Sequence, residues 1–94
     1  MRTLLRITIP VESGNAAFRD GRLAKIIMAN IEKLKPEATY FFPDGGTRTA
    51  MFVFDMKDSF QIVQIAEPLF EEFHAKVEFF PVMNADDLKK GMSG

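Results

Sequence analysis

Residues 43–54, PDGGTRTAMFVF, decide the fold. From Arg48 onward, Ala50, Phe52 and Phe54 alternate with Met51 and Val53, so one strand is apolar on both faces. Such a strand belongs in the middle of a sheet with both sides covered. The two glycines at 45 and 46 suit positive φ angles and predict a turn from a preceding strand, ATYFF at 38–42.

Working outward, residues 3–9 alternate as well: Leu5, Ile7 and Ile9 point one way, and Leu4, Arg6 and Thr8 the other. Pro10 has no N–H for the ladder and ends that strand. VESGN at 11–15 reads as turn chemistry, with a helix starting near Asn15, loosened at Asp20-Gly21 and resuming over 22–35. In the resumed stretch Leu23, Ile27, Ile31 and Leu34 recur at helical spacing, and Pro36 stops it.

Beyond the central strand, Asp58 is expected to cap a second helix, with Gln61 at capping-box spacing. Ile62, Ile65, Ala66, Leu69, Phe70 and Phe73 form its stripe, and Pro68 predicts a bend. A fourth strand, AKVEFFPV at 75–82, turns Val77 and Phe79 toward the helices and Glu78, Phe80 and Val82 away. Residues 83–94 hold a short helix capped by Asn84 and closed by Gly91.

The element order is β-α-β-β-α-β. It predicts one α+β domain over 1–94, ferredoxin-like: a four-stranded antiparallel sheet with two helices on one face. Leu4, Phe80, Val82 and one side of each middle strand then crowd the uncovered face. That much apolar surface predicts a homodimer, or a higher homo-oligomer, joined through the sheets.

Composition narrows the function classes. Ten phenylalanines with one tyrosine and no tryptophan must serve a core, an interface or a pocket. Twelve basic and thirteen acidic residues nearly cancel and are interspersed, which gives no footprint for nucleic acid or an anionic membrane. Without cysteine there is no disulfide framework and no thiolate nucleophile or metal ligand. The first ten residues do not read as a signal peptide, and no apolar stretch approaches the roughly 20 residues that span a bilayer. A cytoplasmic location is the expectation.

Several stretches carry a family likeness: Gly14-Asn15, Asp20-Gly21, KPEATYF at 35–41, GGTRTAMFVFD at 45–55, AEP at 66–68 and PVMNADDL at 81–88. On these the chain resembles, over nearly its whole length, small bacterial proteins of the dimeric α+β barrel type, which have no assigned function. The resemblance implies ferredoxin-like topology. Broader barrel relatives include cofactor-free monooxygenases, small-molecule isomerases and ligand binders. A nucleotide-dependent ligase is not expected, because no Gly-rich loop joins a strand to a helix.

The chemistry-bearing candidates are few. His74 is the one side chain of near-neutral unperturbed pKa, a general base or ligand contact, or else a helix C-terminal residue. Arg48 can clamp a carboxylate, or pair with Asp44 or Glu78. Tyr40 offers the sole phenol, for a ligand hydroxyl or for backbone. Arg6 must find a partner or line a polar channel if the sheets pair. Arg22 clusters with Asn15, Arg19 and Asp20 at the loosened helix, a lid hinge or a solvated junction. Asp55 and Asp58 lack the further oxygens a Ca²⁺ site needs, so neither metal nor cofactor is expected.

Three readings follow. The leading one is an oligomeric barrel that holds a small apolar or aromatic molecule between sheet and helices. The second is a cofactor-independent monooxygenase or isomerase using His74, Arg48 or Tyr40 as catalytic groups. The third is an oligomerising interaction or regulatory module.

Overall fold

A computed structural model describes Met1–Gly94. Its elements are β1 (Arg2–Ile9), α1 (Val11–Arg19), α2 (Arg22–Leu34), β2 (Ala38–Asp44), β3 (Thr47–Asp55), α3 (Gln61–Phe73), β4 (Lys76–Pro81) and α4 (Ala85–Ser93). The strands form one antiparallel sheet in the order β2-β3-β1-β4. The hairpin turn at Gly45 and Gly46 takes φ of 59° and 80°, as two adjacent glycines allow. No helix is long and apolar enough to cross a membrane.

Register sorts the side chains into two faces. Leu5 lies between Phe52 and Phe79, and Ile7 lies between Ala50 and Val77. These residues pack with Ile27 and Leu34 of α2 and with Ile65, Leu69 and Phe73 of α3 in one cluster. The helices therefore cover one face of the sheet. Phe52, Phe54 and Phe73 are fully enclosed there, and Phe41 stands edge-on to Phe52 with ring centres 6.1 Å apart. The reverse face carries Leu4, Arg6, Thr8, Ala38, Tyr40, Phe42, Met51, Val53, Glu78 and Phe80 with no element over it.

The first crossover differs from expectation. VESGN is not a turn but the opening of α1, which starts immediately after Pro10. The Pro10 carbonyl accepts from Gly14 N–H at 2.8 Å, the usual first helical bond. Gly14 is there for space, not for a turn: a Cβ would sit 2.7 Å from Arg48 Nη1 and 3.2 Å from Ile9 Cγ2. Where loosening was expected, Gly21 takes φ of 84° and divides α1 from α2.

Two helix ends and one helix face also depart from the sequence reading. Gln61 Oε1 accepts from the N–H groups of Lys57 and Asp58 at 2.7 and 3.0 Å, but the Asp58 side chain makes no cap bond. Ile62 and Phe70 are 40% and 43% exposed, so the buried stripe of α3 narrows to Ile65, Ala66, Leu69 and Phe73. Asn84 and Asp87 form a reciprocal capping box on α4, yet Gly91 lies inside that helix and does not end it. Gly91 has no positive φ and therefore no stop to offer. α4 buries none of its residues, and with it the molecule reaches 51 Å in its long direction.

Candidate functional site

Of the seven charged residues on the strands, Arg2, Arg6, Asp44, Asp55, Lys76 and Glu78 belong to the uncovered face by register. Arg48, opposite Ile9, is the exception and points under the helices. It lies at one end of a cavity of about 450 Å³ between β2, β3 and the first two helices. Ile9, Phe18, Leu23, Ile27 and Phe41 give that cavity its apolar wall. Phe18 and Phe41 are 68% and 56% exposed, so the wall opens to solvent on the β2 side.

The guanidinium is held from above by α1. Arg48 Nη2–H donates to Asn15 Oδ1 at 3.1 Å, and the Arg48 Cζ stands 5.8 Å from the centre of the Phe18 ring. Gly14, Asn15 and Phe18 share one side of the helix, spaced i, i+1 and i+4. The missing Cβ of Gly14 lets the arginine pass beneath it. No carboxylate lies within ion-pair distance of Arg48: the two partners expected for it, Asp44 and Glu78, both belong to Arg6 instead. The sheet explains the exchange. Asp44 and Glu78 alternate onto the uncovered face, which Arg48 cannot reach.

The other candidates are scattered. Arg6 bonds to Asp44, and its Nε, enclosed and without an acceptor, lies 3.9 Å from Glu78 Oε1. Tyr40 is 67% exposed on the same uncovered face, opposite Met51, and is not the buried tyrosine that was the structural alternative. His74 ends α3 with φ of 54° and gives its backbone N–H to the Phe70 carbonyl at 2.9 Å. Its imidazole faces solvent.

Arg22 ties the α1–α2 junction to the end of α3. It bonds to Asp20 at 2.8 Å, to the Glu72 carboxylate at 2.9 Å and to the Glu72 carbonyl at 3.0 Å. Ser13 Oγ meets the next orphan carbonyl, that of Phe73, at 2.6 Å. The backbone N–H of Arg22, followed by its side chain, holds the Asp20 carboxyl below its usual range. These bonds fix the junction as structure and leave Arg22 outside the cavity wall.

Only Arg48, then, of the five candidates lines the cavity. The residues that sequence reading missed are Gly14, Phe18 and Phe41. Their signal was the helical spacing of Gly14 and Phe18, hidden because Ser13, Gly14 and Asn15 have the composition of a turn. No group of three or more His, Asp or Glu side chains is placed to hold a metal ion. The polar side chains on the cavity wall are Arg48, which Asn15 holds from α1, and Thr49, whose hydroxyl donates to the Thr47 carbonyl. Comparison with known proteins adds no relative: no family model, no curated protein and no solved structure matches the chain.

Proposed function

We propose that the chain is a binding protein for a small apolar or aromatic molecule and works as a homo-oligomer paired through the uncovered sheet face. The observation that carries this reading is the cavity under α1 and α2, walled by half-exposed phenylalanines and reached by one charged arm, Arg48. A pocket of this size, apolar with few polar groups, has the character of a small-molecule site. Its aromatic walls remain partly wet until something fills it.

Binding is favoured over catalysis by the dispersal of the reactive groups. Arg6, Tyr40 and His74 lie on other surfaces, so no base or nucleophile stands beside Arg48. The strand order β2-β3-β1-β4, with the helices on one side, supports ferredoxin-like topology and a dimeric α+β barrel. Oligomerisation is supported further by the shortage of core, since 17 of 94 residues are buried. Each Å² of the apolar sheet face covered by a second copy contributes roughly 25 cal/mol before association costs.

A neutral probe tests the pocket directly. Titrating 4-phenylbutanol into the isotopically labelled protein is expected to move the resonances of Ile27, Phe18 and Phe41. Movement confined to Met51, Val53 and Tyr40, on the opposite face, would overturn the assignment of this cavity.

A further inference from the structure

We infer that the ligand is an apolar or aromatic monocarboxylic acid, anchored by its carboxylate on Arg48 with its body along Phe18, Ile27 and Phe41. This deepens the binding reading and rests on it. Three observations meet at the guanidinium. Arg2, Arg6 and Arg22 each contact carboxylates, whereas Arg48 has only the neutral Asn15 amide oxygen. Arg48 is also the one charged strand residue turned to the helix-covered face. Its surroundings there are apolar.

A cation half-removed from water beside greasy walls, with a single neutral acceptor, has donors to spare. The planar fork matches a carboxylate with two parallel N–H···O bonds, each stronger than the bond to Asn15. Phe18 over the guanidinium holds the plane of the fork while the ligand enters. The acid is single-headed because Arg48 is the only charged residue on the cavity wall. A second carboxylate would lie against phenylalanine.

The test compares 4-phenylbutanoate with 4-phenylbutanol on wild type, Arg48→Met and Gly14→Ala, by calorimetry with resonance mapping. Wild type is expected to prefer the acid by about tenfold, the scale of one charge-assisted hydrogen bond. Arg48→Met is expected to abolish that preference, with the alcohol still moving the resonances of Phe18, Ile27 and Phe41, which shows that the pocket has kept its shape. Gly14→Ala pushes its new methyl into the space of Arg48 Nη1 and is expected to cut the acid preference.

Equal affinities for acid and alcohol in wild type, or an acid preference that survives Arg48→Met, would overturn the carboxylate anchor and leave the apolar pocket standing. If neither compound moves the resonances of Phe18, Ile27 and Phe41, the pocket itself fails and the anchor fails with it.

Discussion

The two faces of the sheet are built from the same four strands, yet they solve opposite problems. The helix-covered face is apolar, with Leu5, Ile7, Phe52 and Phe54 at or near complete burial, and opens at the cavity beside β2. It admits one charge, Arg48, at the edge of that cavity. The uncovered face mixes Leu4, Met51, Val53 and Phe80 with six charged residues. Its central arginine, Arg6, is neutralised from both sides by Asp44 and Glu78. An arginine already matched with carboxylates is tolerated under a partner surface, and an unmatched one beside a cavity is available to a ligand. On the function proposed above, the difference would separate a surface for assembly from a site for recognition.

The sharpest way to break this comparison is to remove one aromatic from each face. Phe52 has no exposed surface, so Phe52→Ala leaves a void in the core and is expected to lower stability by about 3–5 kcal/mol. Phe80 is 42% exposed, and Phe80→Ala is expected to cost the isolated subunit less than about 1 kcal/mol. Denaturant unfolding at low protein concentration reads both. Equal losses would mean that the uncovered face is already packed within the subunit.

The second prediction sharpens the role of the uncovered face. Val53 sits between Leu4 and Ala38 in the sheet, in the most apolar part of that surface. Val53→Lys places an unpaired ammonium at any interface built there, and a two-fold pairing receives it from both copies. The dissociation constant of the dimer is expected to rise by at least about tenfold, with the subunit's circular dichroism unchanged. Sedimentation at micromolar concentration reads it. A wild-type chain that sediments as a monomer at that concentration would remove the assembly reading altogether.

Much of this contrast was legible in the sequence, for a physical reason. The alternation of residues 48–54 and 3–9 assigns each side chain to a face once the strands pair, because the side-chain period of a strand is two. The alternation put Arg6 on the second face of β1 in the same way. What stayed hidden depends on distances across the fold. Whether Arg48 or Arg6 takes Asp44 is decided by the side of the sheet that Asp44 occupies. Asp44 lay beyond the expected strand 38–42, where no alternation assigned it a face, whereas β2 runs through it. Gly14 misled for a related reason. Its composition says turn, whereas the place of Arg48 beneath α1 is one that a Cβ at this position would crowd. The first turn of α1, residues 11–14, was lost, and with it the cavity wall that Gly14 and Phe18 share.

The smallest expected effect comes from acid. The carboxylates on the strands are Asp44, Asp55 and Glu78, all on the uncovered side. Asp55 is the clearest reporter. Hydrogen bonding to Lys57, followed by the Met1 ammonium, lowers its pKa from the usual 3.8 to about 2. A carboxylate depressed in the folded state stabilises it fully above its unfolded pKa and stops doing so as pH falls through the folded one. The contribution of Asp55 is therefore expected to be present above about pH 4 and gone near pH 2. Being largely exposed, it is screened by water and salt, so the change is modest. Asp55→Asn is expected to lower stability slightly at neutral pH and to flatten the acid limb between pH 4 and 2, followed by circular dichroism. Acid limbs of the same slope in variant and wild type would mean that the pairs of Asp55 with Lys57 and the Met1 ammonium add nothing to stability.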